Sequence, residues 1–360
     1  KGVFLWTVME DYIIVGYGLA GAAVSFELEE RGSSFSIFEN ASQSSSKVAG
    51  GIANPVILKR LKLAWNADLH FQQAEGFYRK VEKKLGQEIY YNLEIYRKFF
   101  SVEEQNDWFE AADKPLLKPF LDTDLVRHLS DGIPSSFSFG RVLGTMKLDT
   151  EKYLEASMEY FRSMGNLIDE GFIYDDLILN SDFVQYRGRK ARNIIFCEGF
   201  GMRQNPYFNY LPLRGNKGEY IIIRAPQLKL KSAVKSSVFI LPLGDNLYKV
   251  GATYDNRSFS PEITLEARKN LIARVNEMIT VPYEVMGQVA GIRPVSADRR
   301  PLIGQHPKYT NLYCCNGFGS RGVIASPAIS KQLIESIEDS ESIPPEADIA
   351  RFKKRWLKSN

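Results

Sequence analysis

Two stretches at opposite ends of the 360-residue chain share one glycine spacing. DYIIVGYGLAGAAV (11–24) carries Gly16, Gly18 and Gly21, and NLYCCNGFGSRGVIAS (311–326) carries Gly317, Gly319 and Gly322. The G-x-G-x-x-G pattern lets backbone N–H groups point at a phosphate pair with no side chain in the way, and a helix opening there adds partial positive charge. In the first stretch Gly16 permits the tight turn, Gly18 lets a pyrophosphate approach, and Gly21 lets helix pack on strand. Glu39 follows 18 residues after Gly21, where a carboxylate ending a second strand can accept hydrogen bonds from ribose hydroxyls. The same acid would repel a 2′-phosphate, so the motif reads as a site for FAD or NAD. A glycine turn alone matches this spacing by chance; the strand, helix, strand and acid around it make the reading specific.

If the second motif opened another dinucleotide unit, its helix would lead to a strand ending in an acid. It leads instead through GVIASPAISKQLIESIEDSES to Pro344-Pro345 and a basic tail. The strand LYCC, a glycine loop and a helix still set a helix N-terminus beside something anionic. In a flavoprotein the pyrimidine edge of the isoalloxazine ring becomes negative on reduction, and a helix end stabilises that charge. The two motifs therefore read as one cofactor held from both ends of the chain, against the alternative of a purely structural glycine turn.

The elements that must position these residues follow from periodicity. Tyr12 to Val15 is a short apolar run suited to a buried parallel strand. AAVSFELEERG has apolar residues at helical spacing and stops at Gly32, and SFSIFE (34–39) alternates into a second strand. Residues 40–51 are small and polar and end in Gly50-Gly51, a close-approach loop. A helix is expected from Asn66 to Leu85, a strand over 89–100, and a helix capped by Ser101 with Glu104. Asp149 or Thr150 caps the next helix, which ends at Gly165, and ARNIIFCEG (191–199) reads as a central strand. Candidate strands crowd 216–256 and a helix covers 263–278, which suggests an antiparallel sheet unlike the parallel N-terminal unit. The expected class is α/β with two interleaved domains.

With 44% hydrophobic and 12% aromatic residues the chain is globular, and its length exceeds one ordinary core. Forty-six basic and 43 acidic residues give a net charge of +3, short of the balance that by itself implies nucleic acid. Three cysteines (Cys197, Cys314, Cys315) and three scattered histidines (His70, His128, His306) form no disulfide framework and no metal spacing. No metal is expected. The apolar run VFLWTVM (3–9) is too short for a membrane span and lacks a signal-peptide cleavage context, so a cytoplasmic protein is expected. Met9 stands directly before the first strand, which makes residues 1–8 a candidate leader or misassigned start.

GYGLAG with Glu39, GIRPVSADRRPLIG (291–304) and NGFGSRGVIASP (316–327) together resemble the D-amino-acid oxidase superfamily of FAD-dependent amine oxidoreductases, which includes glycine and sarcosine oxidases. With LPLRGNKGEYI (211–221) and the basic RFKKRWLK (351–358), the last motif looks closest to the FAD domain of the bifunctional tRNA 5-methylaminomethyl-2-thiouridine biosynthesis enzyme. That enzyme's methyltransferase domain has no counterpart in these residues, which reads as a freestanding relative. The resemblance implies a Rossmann-type FAD domain of the glutathione-reductase kind (9–65, 141–215, 286–360) interleaved with an antiparallel-sheet substrate domain (66–140, 216–285) that roofs the flavin. It implies that Gly16, Gly18, Leu19, Ala20, Gly21, Glu39 and Asn40 hold the ADP half, with Gly50 and Gly51 near the flavin, Phe172 near adenine and Gly199 near the pyrophosphate. Gly291 and Arg293, then Gly319, Ser320, Arg321 and Gly322, would face the flavin, the last four its pyrimidine edge.

Arg293, in the family's G-x-R-P, would bind the substrate carboxylate. A guanidinium is a planar fork matched to two carboxylate oxygens; the alternative is an arginine paired with Asp298 to brace the loop. Arg321 and Tyr248 complete the candidates for chemistry. Alternation sets Tyr248 and Tyr254 on one face of LYKVGATY, either lining the pocket or packing the sheet. Glu198 reads either as an unusual buried carboxylate or, in preference, as a loop-facing acid, and Cys314 and Cys315 read as core residues and not flavin attachment points.

The implied reaction passes a hydride equivalent from a C–H beside an amine nitrogen to flavin N5, giving an imine that water hydrolyses; it needs a deprotonated amine but no enzyme base. The first substrate is a small amine or amino acid of the N-substituted glycine type. The second is a carboxymethylaminomethyl-uridine in tRNA, with YRGRKAR (186–192) and RFKKRWLK contacting phosphates or forming only solvated faces. The third is a flavin-binding protein without catalysis.

Overall fold

The computed structural model describes residues 9–359, so the expectation for residues 1–8 lies outside the described residues. Glu10–Val15 is buried from Tyr12 onward, as a central parallel strand must be. It pairs in parallel with Phe35–Phe38 on one side and Arg189–Phe196 on the other. Leu167–Ile168 and Leu312–Asn316 extend the parallel set at its two ends. Leu302–Gln305 closes the far edge antiparallel, and Val184–Tyr186 with Leu177–Leu179 branches from the front half of Arg189–Phe196.

Helix Leu19–Glu30 follows the first glycine motif and packs against helix Gly322–Glu338, which follows the second. Their contact is close because of glycine: a Cβ at Gly322 would lie 2.9 Å from the Leu19 side chain. At Gly21 a Cβ would come within 2.1 Å of the Gly16 carbonyl oxygen, so the helix could not sit on its turn.

The second sheet has seven strands in the order Glu284–Ser296, Leu213–Arg224, Leu247–Gly251, Phe239–Gly244, Ala233–Lys235, Ile95–Lys98 and Phe139–Val142. It is antiparallel except where Ala233–Lys235 runs parallel to Ile95–Lys98. Helix Leu265–Asn276 buries Leu271 and Val275 against Ile221, Ile240 and Val250 on one face. The other face turns toward the parallel sheet and packs with Val56, Leu58 and Trp108. The fold is the expected α/β arrangement of a parallel and an antiparallel sheet.

Local expectations hold with two differences. Ser101 accepts from Glu104 N at 3.3 Å, and Asp149 caps its helix by accepting from Lys152 N at 3.2 Å. Residues 89–100 form two strands instead of one. Tyr90–Asn92 joins Ile52–Ala53 and Met146–Leu148, while Ile95–Lys98 enters the seven-stranded sheet, because Tyr90 and Ile95 bury into different cores. Helix Ala67–Leu85 packs on Gly322–Glu338, with Phe71, Tyr78 and Val81 in the core of the parallel-sheet side. We therefore propose moving that helix from the substrate domain to the cofactor domain. Leu213–Arg224 serves both sides, with Leu213 in one core and Ile221 and Ile223 in the other.

Candidate functional site

A cleft of about 610 Å³ lies between the two sheets, within the usual range of ligand pockets. Of the candidate residues, Gly16, Gly18, Leu19, Ala20, Glu39, Asn40, Gly50, Gly51, Phe172 and Gly199 line it. So do Gly291, Arg293, Gly319, Ser320, Arg321 and Gly322. The glycine motifs from the two ends of the chain thus border one cavity. Gly21 lies beneath the turn and is absent from the wall.

At the first motif the helix opens on Gly18 with no side-chain cap and no acid in its first turn, which leaves N–H donors for an anion. Leu19 N donates to Ser46 Oγ at 3.2 Å, so the 40–51 loop reaches the helix start. Gly16 sits at φ +92°, and a Cβ there would be 2.8 Å from the Cys197 carbonyl oxygen. The Glu39 carboxylate accepts from Tyr17 N, inside the glycine turn, and from Ala41 N. Phe172 stacks on Tyr186 with centroids 4.1 Å apart.

Glu198 corrects the sequence reading. Its carboxyl is enclosed at the cleft wall and not turned to the loop, accepting from the Tyr174 hydroxyl and from Asn205 Nδ2 at 2.7 Å. Burial outweighs both donors and pushes it up to about 7. A glutamate between the strand end and Gly199 was the visible signal, but its enclosure by Tyr174 and Asn205 is tertiary.

At the second motif Arg321 is the N-cap residue of Gly322–Glu338. Its side chain has no ion pair among the described residues; burial, then the charges of Arg300 and Arg299, push its guanidinium below the ordinary value. Nearby His70 is buried and pushed down to about 4, hence neutral at pH 7. Cys314 and Cys315 are fully buried outside the cleft, with Cys315 Sγ 3.6 Å from Ser330 Oγ. No His, Cys, Asp or Glu group that could hold a metal occurs among the described residues.

Arg293 stands on the cleft face of Glu284–Ser296, opposite Asn216. It donates to Asn216 Oδ1 at 2.7 Å, lies 4.9 Å from the centroid of Tyr254, and crosses Gly218, where a Cβ would be 2.1 Å from Nη2. Asp298 pairs instead with Arg351 at 2.9 Å, which removes the bracing alternative. Among the described residues Arg293 has no ion pair.

Tyr248 is corrected. It is buried in the core behind the seven-stranded sheet, its hydroxyl accepts from Leu230 N at 3.1 Å, and it does not line the cleft. Its strand ends at Gly251, so alternation does not carry through to Tyr254, which does line the cleft. The sequence passed over Tyr220, Lys235 and Phe239, which also line it. The arginines of 186–192 are engaged on the surface: Arg187 by Asp176 and Glu170, Arg189 by Glu10 and Arg192 by Asp11. No helix among the described residues is long and apolar enough to cross a membrane.

Residues 11–336 match the family model described as "DAO: FAD dependent oxidoreductase". The chain is 30% identical over 208 residues to the tRNA 5-methylaminomethyl-2-thiouridine biosynthesis bifunctional protein MnmC of Legionella pneumophila, covering 47% of this chain and 31% of that one. The chain spans less than half the length of the MnmC relatives it matches. It is 22% identical over 371 residues to the glycine oxidase of Geobacillus kaustophilus, covering 92% and 94% of the two chains. The crystal structure of that glycine oxidase matches the fold with a TM-score of 0.79 at 20% identity, over 96% of this chain and 98% of that one. Iminodiacetate oxidase from Chelativorans sp. BNC1 matches with a TM-score of 0.76 at 18% identity, over 95% and 98%.

Proposed function

The chain belongs to the DAO family of FAD-dependent oxidoreductases, and from that premise we propose that it oxidises the C–N bond of an amino acid of the N-substituted glycine type. The cleft fits FAD. An uncapped helix start with glycines that exclude side chains suits the pyrophosphate, Glu39 beside the turn suits the ribose, and the second helix start suits the ring's pyrimidine edge. Bound FAD supplies the two-electron acceptor for the C–H bond beside the amine nitrogen. As that bond breaks, the nitrogen lone pair forms the C=N bond of an imine, and water completes the cleavage.

What the chain's own residues contribute is position. The single observation that carries the reading is Arg293: a guanidinium on the cleft wall, oriented by Asn216 and Tyr254, with no acid among the described residues to neutralise it. A carboxylate held there places the adjacent C–H against the cofactor. Among the described residues lining the cleft, Glu39 binds the first glycine turn, Glu198 stands beside Gly16 and Glu170 pairs with Arg187, so none serves as a base at the Arg293 end and the amine must arrive unprotonated.

Anaerobic loss of flavin absorbance on adding sarcosine, glycine or iminodiacetate tests this. Arg293→Ala is expected to lower kcat/KM on the order of 100-fold, the worth of a charge-assisted pair, with flavin content unchanged. A protein that carries FAD which none of these amines bleaches would refute the reading. A second reading, the same chemistry on a carboxymethylaminomethyl-uridine of tRNA, is favoured by the 30% identity to MnmC. Turnover of hypomodified tRNA, with affinity that falls steeply with salt, would distinguish it.

A further inference from the structure

The cleft face of the seven-stranded sheet carries a row of residues set by register. Lys235 lies opposite Arg97 on one side and Phe239 on the other; Phe239 lies opposite Gly251, and Gly251 opposite Tyr220. Directly opposed residues share a face, and like charges so opposed destabilise a sheet. Arg97 is met by Glu104 at 3.1 Å. Lys235 has no ion pair among the described residues: its ammonium donates to the Ser237 carbonyl at 3.2 Å and lies 5.1 Å from the Phe239 ring centroid. Burial, together with the charges of Arg97, Arg274 and Lys59, pushes it down to about 8. Lys59, exposed and without an ion pair among the described residues, lines the same end of the cleft. A half-buried ammonium among other cations works against the fold, and such conflicts concentrate at sites of function.

We propose that Lys235, with Lys59 at the rim, holds a second anionic group of the substrate, at the end of the cleft opposite the carboxylate on Arg293. This rests on the carboxylate reading of Arg293. The Arg293 guanidinium lies across Gly218 on Leu213–Arg224, three strands from Ala233–Lys235, or about 14 Å of sheet. Gly218 also lies two residues, about 7 Å, along its strand from Tyr220 of the row, so with Lys235 leaning over Phe239, one strand spacing less, the two charges stand about 12 Å apart. The floor between them is aromatic, Tyr220 and Phe239, a surface that suits a planar ring or an alkyl spacer. A nucleotide phosphate and a remote carboxylate are the two sources of such an anion.

The test uses the FAD-loaded protein and inorganic phosphate, with thermal unfolding followed by flavin fluorescence. Phosphate is expected to raise the melting temperature of the wild type, Arg293→Ala and Lys235→Arg, and to raise that of Lys235→Met far less. Turnover then compares 5-carboxymethylaminomethyluridine 5′-monophosphate with its nucleoside, and N-(7-carboxyheptyl)glycine with N-octylglycine. Lys235→Met is expected to lower one of these kcat/KM ratios about 10-fold or more, with Lys235→Arg restoring most of it. A drop in the nucleotide ratio assigns phosphate as the source, and a drop in the diacid ratio assigns carboxylate. A drop in neither, or a phosphate response equal in wild type and Lys235→Met, overturns the proposal. If no amine bleaches the flavin, the amine-oxidation reading fails by itself, and the phosphate titration still decides for or against the Lys235 site.

Discussion

Glu198 is the residue whose chemistry depends most on its surroundings. Its carboxyl, held near 7 when folded against 4.5 for an ordinary glutamate, keeps a proton that the unfolded chain releases. Its stabilising contribution is therefore complete below about pH 4.5 and lost as pH rises through about 7, on the order of 3 kcal/mol across that window. The Glu198 Cα lies 3.1 Å from where a Gly16 Cβ would be, beside the turn that suits the pyrophosphate, so the protonated form is the one that tolerates the cofactor. FAD affinity measured by fluorescence quenching should weaken between pH 6 and 9, and Glu198→Gln should flatten that slope. Parallel slopes in the two proteins would contradict the assignment. Gly16, Gly18 and Glu39 were legible in the sequence because glycine spacing encodes backbone shape directly. Glu198 and Lys235 were not, because the cost of burying a charge is set by neighbours far away in the chain.

Among the elements, the Leu213–Arg224 strand does two jobs on its two faces. Gly218 and Tyr220 face the cleft, while Lys217 and Glu219 form a buried pair at 3.4 Å on the other side. Glu219 also accepts from Thr264 N and Oγ1, each at 2.8 Å, and Thr253 N donates to its carbonyl at 3.1 Å. Both ends of the 253–264 segment are thereby tied to one residue, and Tyr254 at its start stacks with Arg293. Glu219→Ala leaves the buried Lys217 ammonium without its counter-charge, holding only the Glu262 carbonyl, and is expected to cost about 3 kcal/mol in chemical unfolding. Adding Lys217→Met should recover much of that loss, yet leave KM for a carboxylate substrate raised, since the Thr264 end of the segment stays untied while Thr253 keeps its bond to the carbonyl of residue 219. Full recovery of KM in the double variant would show that the Thr264 tie does not position Tyr254. Helices and the parallel strands were readable from period and caps. The split of 89–100 and the seating of Tyr248 were not, since a run of alternating residues does not say which of two cores each end enters.

For the molecule as a whole, the interleaving suits the length of a dinucleotide cofactor. On the proposed reading one end of it would be held by the first glycine turn, and since the substrate sheet uses the intervening chain, the second hold would fall to the C-terminal motif. The parallel pairing of Arg189–Phe196 with both Glu10–Val15 and Leu312–Asn316 fixes the two glycine loops at the same carboxyl end of one sheet, and the Leu19–Glu30 and Gly322–Glu338 helices lock that arrangement. The recurrence of the motif was legible, and so was its sharing of one site, from the missing second strand after GFGSRG; the sheet order that brings both copies to one cavity was not. If FAD spans both, amide exchange should slow on cofactor addition at residues 16–21 and 319–323 together, with the same dependence on FAD concentration. Gly21→Ala, which drives a Cβ into the Gly16 carbonyl, should then remove protection at the distant C-terminal loop as well as at its own turn. Loss confined to 16–21, with 319–323 still protected at the wild-type FAD concentration, would mean that the two loops serve separate ligands. Linked loss is what a single ligand binding only the folded state requires.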